Sequence, residues 1–319
     1  MTIIPVFLFG ISYMFLLIFS RDIRICKLGQ FLAANTDELI RNQAVRYGRR
    51  SSCVRMINIV AAGKGSTIAH PTIMRNIISL CGKRHPNIVY LGTPSKDSIE
   101  NWVTTGLPYV NSGYSVTQIH LWNQTHEDKE NQNVKEILLN ADIILVSGGS
   151  SKECILKWRE HGVDELLLSL VRKKKSPILA GGSAGALCWF GGGYGLGLIP
   201  ALFVPHFDIN YVERGIIPPD QKLQRFPEYY SCICMDENAA IVISSDKLLL
   251  RESVVSRFKD VVVPTHPINS IDFPDVEFTI ISTDGKAKGY VMRRLSIPKL
   301  ETLEIGKIKR FQDLFLTTL

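Results

Sequence analysis

The sequence predicts an α/β protein, with a mostly parallel sheet, helices on both of its faces and antiparallel additions near the C-terminus. Three observations carry that prediction. Short runs of Val, Ile and Leu bounded by glycine recur up to about residue 182, separated by helix-patterned stretches. Those runs are continuously apolar rather than alternating, as a strand buried on both faces requires. Beyond residue 200 the style changes to short β-type runs joined by turns.

Taken in order, "INIVAAG" from Ile57 reads as the first buried strand and Pro71–Cys81 as the helix that follows. "NIVYLGT" is the second strand, with a helix through Ile99–Val110, and "SVTQIHLW" the third, followed by a short helix over Asn133–Asn140. "ADIILVSGG" is the fourth strand. A single long amphipathic helix is expected around Glu153–Arg172, and then "SPILAGG" as a fifth strand ending at Ser183. "SCICMD", "AAIVISSDKLLL", "DVVVPT", "VEFTIISTDG" and "KGYVMRRL" supply the antiparallel additions, expected at one edge. In sheets of this kind ligand chemistry gathers at the carboxyl ends of the strands. Both "VSGGSS" and "AGGSAGA" fall at such ends.

The 319 residues divide into an appendage, 1–55, and one catalytic domain, 56–319. Hydrophobic residues at 45% and charged residues at 21% describe an ordinary globular chain whose core needs no metal or disulfide. The net charge of +7 sits largely before residue 57 and in stretches such as Val171–Lys175. No basic stripe is interleaved with aromatics, so the charge reads as solvated surface and not as a nucleic-acid face. The seven cysteines are scattered and include no CxxC pair of zinc spacing, which favours reduced thiols in a cytosolic protein.

Residues 2–19 are apolar and uncharged, at the lower length limit for a membrane span, with basic residues after the run and none before it. As an anchor this run would keep the catalytic domain on the cytoplasmic side. The alternative is a start at Met56, directly before the first strand.

Gly181-Gly182-Ser183-Ala184-Gly185 satisfies G-x-S-x-G directly after a strand. In that arrangement the serine occupies a strained strand-to-helix turn, and glycines on either side let neighbouring backbone pass closely. A phosphate-binding role is weaker. No Walker loop is present, and "GKGSTI" (63–68) has isoleucine where a dinucleotide fingerprint needs its third glycine. A nucleophilic serine needs a base. His206, 23 residues downstream and behind Pro205 at the end of an apolar run, is one candidate; His266 is its rival. Asp236 and Glu237 both stand at the end of a strand as carboxylates able to orient an imidazole, and spacing does not choose between them.

Together these stretches resemble the peptidase E (aspartyl dipeptidase) family of serine peptidases, whose fold is similar to that of the class I glutamine amidotransferases. The resemblance runs from about Ile57 to about Ser256. It is carried by four motifs in order: "VSGGSSKECILKWREHGVDELL", "GGSAGALCWF", "GLGLIPALFVPHFD" and "MDENAAIVI". It implies Ser183 as nucleophile, His206 as general base and Glu237 as the acid, with Asp236 as the alternative acid. It further implies an oxyanion hole from the backbone N–H groups of Gly149 and Ala184, acyl transfer without metal or organic cofactor, and a small peptide substrate. The family's asparagine after Gly-Gly is replaced by Ser150, a position implied to lie against the substrate, which leaves strict selection of N-terminal aspartate open.

Three rival readings remain. Cleavage of an aspartyl-arginine polymer, as by a cyanophycinase, uses the same machinery. A non-catalytic binding protein would keep only the cleft. An α/β-hydrolase would use Ser183, Asp246 and His266 in that order. The sequence sets no oligomeric state.

Overall fold

The computed structural model describes residues 57–122, 133–173, 176–209, 215–227, 229, 231–245, 256–258, 261–263, 276–294, 299–307 and 309–310. The apolar run 2–19, Asp246 and His266 lie outside them. Among the described residues no helix is long and apolar enough to cross a membrane.

The five expected parallel strands form: β1 (Ile57–Ala62), β2 (Ile88–Leu91), β3 (Val116–Ile119), β4 (Ile143–Val146) and β5 (Ile178–Gly182). They pair in the order β1-β5-β4-β2-β3, every neighbour parallel. The apolar runs of β1 (apart from Asn58), β2, β4 and β5 have a direct cause, since alternate residues of a strand face opposite sides; β3, Val-Thr-Gln-Ile at the sheet edge, is less buried. Ile57, Ile59 and Ala61 of β1 enter one core cluster, and Val60 and Ala62 enter another. Ile144 and Val146 of β4 divide from Ile143 and Leu145 in the same way. Fully burying each such aliphatic side chain is worth roughly 1.5–3 kcal/mol.

Helix α1 covers Pro71–Cys81, the span expected. His70 Nδ1 accepts the Thr72 amide at its start and Gly82, in the left-handed region, closes its end. The helix expected over Ile99–Val110 is interrupted by a π turn at Trp102–Gly106, where the Leu107 amide reaches back five residues to the Trp102 carbonyl. α2 is Val134–Leu139. The single long helix expected around 153–172 is two helices, α3 (Ser151–Glu160) and α4 (Val163–Val171). Gly162 is the reason: at φ 67° it terminates α3 and opens α4 in a new direction. α5 is the short Ala184–Leu187.

The C-terminal strands divide among three sheets, where additions at one edge alone were expected. β6 is Leu202–Val204, β7 Ser231–Met235, β8 Ala239–Ser245, β9 Ser256–Phe258, β10 Val261–Val263, β11 Val276–Ser282, β12 Gly289–Arg293, β13 Lys299–Leu303 and β14 Lys309–Arg310. β8, β11 and β14 extend the main sheet antiparallel beyond β1, to give the order β14-β11-β8-β1-β5-β4-β2-β3. β13-β12-β7-β6 form a second sheet, in which β6 and β7 run parallel. Parallel neighbours need a crossover, and the segment between these two contains helix α6 (Pro219–Arg225). β9 and β10 pair with each other as a hairpin.

The turn after β11 is held by Asp284. Its carboxylate accepts from the Ala287 and Lys286 amides, the Ser282 hydroxyl and the Asn238 side chain, which brings its pKa down to about 2. A depressed carboxylate stabilises the fold above its unfolded pKa of about 4 and loses that contribution as pH falls through the folded value. Asp284→Asn is therefore expected to flatten the acid dependence of the melting temperature between about pH 4 and 2. Thermal unfolding of both proteins across that range checks it.

Candidate active site

Three carboxyl-terminal strand ends of the main sheet meet here. β5 ends in Gly182 and passes directly into Ser183, which caps α5 with φ 54° and ψ −116°. Such a conformation is rare outside glycine and costs of order 1–3 kcal/mol. It persists because the surroundings fix it. The Ser183 amide donates to the Ala62 carbonyl at 3.0 Å, which ties the turn to the end of β1. A side chain at Gly182 would collide with the backbone carbonyl of Lys64.

His206 follows β6 and also has positive φ, 55°. Its amide donates to the Gly63 carbonyl at 3.2 Å, and the Phe207 amide to the Met235 carbonyl at 3.1 Å. The ring is thereby held between β1 and β7. Glu237 stands in the β7–β8 turn. Its amide donates to Asp208 Oδ1 at 2.8 Å and its carbonyl accepts from Thr67 Oγ1 at 2.6 Å.

The side chains form one hydrogen-bonded series. Ser183 Oγ is 2.9 Å from His206 Nε2, and His206 Nδ1 is 2.6 Å from Glu237 Oε1. Glu237 Oε2 accepts from Lys64 Nζ at 3.2 Å. Burial alone would raise the Glu237 pKa; the hydrogen bonds from His206 and Lys64, with the charge of Lys64, outweigh it and hold the carboxyl below its ordinary value.

Of the two carboxylates left open by spacing, the structure brings Glu237 to His206 and turns Asp236 away. Asp236 Oδ2 accepts from the Lys288 amide at 2.7 Å, linking the end of β7 to the approach to β12. Burial raises the Asp236 pKa against that hydrogen bond. Adjacent residues at a strand end project oppositely, which is the physical basis of the division.

Gly149 follows β4 with φ 137°, and a side chain there would collide with the Pro94 carbonyl. The neighbouring Gly148 packs toward Ser183: a Cβ on it would lie 3.7 Å from that of Ser183. Ala184 is the first residue of α5, so its N–H has no partner within the helix. Ser150 is the cap of α3, its Oγ accepting the Glu153 amide at 3.3 Å while its own amide donates to the Pro94 carbonyl at 2.7 Å. Next along α3, Trp158 is buried and donates Nε1 to Thr93 Oγ1 at 3.1 Å. Cys188 is buried with its Sγ 3.7 Å from Cys154 Sγ.

The sequence reading passed over Lys64, Thr67 and Asp208. Asp208 stands two residues after His206, and the others lie in the "GKGST" stretch weighed only as a phosphate loop. Position at the end of the first strand was the available signal.

Comparison with known proteins agrees with this architecture. Residues 59–194 match the family model for Peptidase family S51. Over 236 residues the chain is 26% identical to the uncharacterized peptidase YgaJ of Bacillus subtilis (strain 168), an alignment covering 69% of this chain and 98% of YgaJ. The crystal structure of a peptidase from an acI-B1 Actinobacterium has the same fold, with a TM-score of 0.51 at 18% identity, covering 81% of this chain and 98% of that one. Over the segment 59–194, which contains the strand-end serine, this chain is similar to peptidase family S51, the peptidase E family of serine-type peptidases.

Proposed function

We propose that Ser183, His206 and Glu237 act as a catalytic triad that hydrolyses short peptides, Asp-X dipeptides among them, through an acyl-enzyme. The reading rests on one observation above others: the hydrogen-bonded series from Ser183 Oγ through both nitrogens of His206 to Glu237 Oε1. With the ring proton on Nδ1 facing the carboxylate, Nε2 is the acceptor for the serine hydroxyl. His206 takes that proton as Oγ attacks the scissile carbonyl, and Glu237 stabilises the imidazolium. The oxyanion is received by the N–H groups of Gly149 and Ala184. His206 then protonates the leaving amine. Water, deprotonated by the same ring, releases the acid and regenerates Ser183.

Ser150 is the position of this reading nearest to the specificity question. Aspartate selection is an implication of the family, and the serine has no side-chain amide with which to replace the family's asparagine. Release of free leucine from an X-Leu panel, with X spanning Asp, Glu, Asn and neutral residues, tests it. Cleavage of Asp-Leu alone supports an aspartyl dipeptidase. Broad cleavage retains the triad and removes the specificity.

The two carboxylates are separable in the same assay. Glu237→Gln is expected to lower kcat by about 10²–10⁴-fold, since the amide no longer orients or stabilises the ring. Asp236→Asn is expected to keep kcat within about threefold and to act on thermal stability instead, through the Lys288 contact. The reverse pattern would reassign the acid.

A further inference from the structure

We propose that Lys64 is a positioning residue for the site, its ammonium holding the Glu237 carboxylate against His206, and that the segment Ala62–Thr67 is the hub to which all three members of the series are tied. The proposal rests on the triad reading above and adds to it a residue that the reading does not use.

Four contacts converge on this short segment. Ala62 O receives the Ser183 amide at 3.0 Å and Gly63 O receives the His206 amide at 3.2 Å. Lys64 Nζ donates to Glu237 Oε2 at 3.2 Å, and Thr67 Oγ1 to the Glu237 carbonyl at 2.6 Å. The segment itself is closed by the Thr67 amide on the Lys64 carbonyl at 3.2 Å. A phosphate-binding loop turns backbone N–H groups toward its ligand. Here Ala62 and Gly63 present carbonyl oxygens to the serine and histidine segments, and the lysine is engaged with a carboxylate. The "GKGST" pattern is thus explained by the site without a phosphate.

The charge balance gives Lys64 a definite task. Among the described residues, the ionisable groups around Glu237 include His206 on one carboxylate oxygen, Lys64 on the other, Asp208 at its backbone amide, and Asp236, which is directed to the Lys288 amide. With two carboxylates nearby, the ammonium favours the ionised form of Glu237 that an imidazolium needs. Lys64 is half exposed and Glu237 mostly buried, so solvent screens part of the interaction. A moderate effect follows.

The test uses the full-length chain and two variants, Lys64→Met, which keeps the stem without the charge, and Lys64→Arg. The pH profile of kcat/KM on a cleaved dipeptide is measured with the titration of Glu237 by carboxyl ¹³C NMR, assigned with Glu237→Gln. In Lys64→Met the acid limb and the Glu237 midpoint are both expected about half to one pH unit higher. kcat should fall roughly three- to tenfold with KM within about twofold, and Lys64→Arg should keep the wild-type acid limb. A Lys64→Met profile that superimposes on wild type, or a uniform loss at every pH with an unchanged midpoint, overturns the proposal. Hydrolysis that survives Ser183→Ala overturns the triad reading instead; the NMR midpoint then decides the Lys64–Glu237 contact alone.

Discussion

Ser183→Ala is expected to abolish peptide hydrolysis, with a fall in kcat approaching the roughly million-fold loss seen when a triad serine is removed. The size of the effect follows from the chemistry. Covalent catalysis disappears with Oγ, and only substrate binding and the oxyanion donors remain to assist attack by water. Folding should scarcely change. The replaced residue keeps the same φ of 54°, and alanine bears that strain about as well as serine. Among the described residues the side-chain partner lost is His206, at 2.9 Å. Kinetics and thermal unfolding of the same sample therefore separate the roles: activity lost, melting temperature nearly constant. His206→Ala combined with Ser183→Ala should be no worse than Ser183→Ala alone, because members of one unit are not additive. A single variant retaining activity within about tenfold of wild type would remove Ser183 from the mechanism.

The second large effect is structural. Gly63→Ala places a methyl group against the backbone of Met235 and Asp236, which cannot swing aside as the tip of a long side chain would. The end of β1 and the β7–β8 turn must separate. Gly63 also donates its amide to the Ala239 carbonyl at 3.0 Å and accepts the His206 amide, so displacement strains the placement of both His206 and Glu237. A cost of about 3 kcal/mol is expected, corresponding to a melting temperature lower by about 6–12 °C for a domain of this size. Activity should fall well beyond that loss, measured at a temperature where the variant is fully folded. A melting temperature within about 1 °C of wild type with normal kcat would show that this contact is not rigid.

Much of this was legible in the residues. The parallel strands could be read because burial on both faces leaves a continuous apolar run, and β1, β4 and β5 carry it to their last residues. Ser183 and His206 were legible because strand ends are marked by glycine and proline. The division between Asp236 and Glu237 was not: it depends on which face of the β7 end meets β12, a pairing between residues more than fifty positions apart. The second sheet escaped for the same reason, since β6 and β7 have no local pattern that distinguishes them from edge strands of the first. Gly162 was visible in "REHGVDELL", yet the apolar spacing on either side of it reads through the break.

The order in which the site's parts occur along the chain has a consequence for synthesis. A ribosome delivers β1 to β5 and the serine turn first; the ring of His206 and the carboxylate of Glu237 come later, and β8, which pairs with β1, directly after them. Domains emerge from the N-terminus at roughly 5–20 residues per second. During the seconds between Ser183 and the pairing of β8, the nascent chain carries a nucleophile without a base. On the proposed mechanism it is born chemically silent, and it gains its activity only when β8 has found β1.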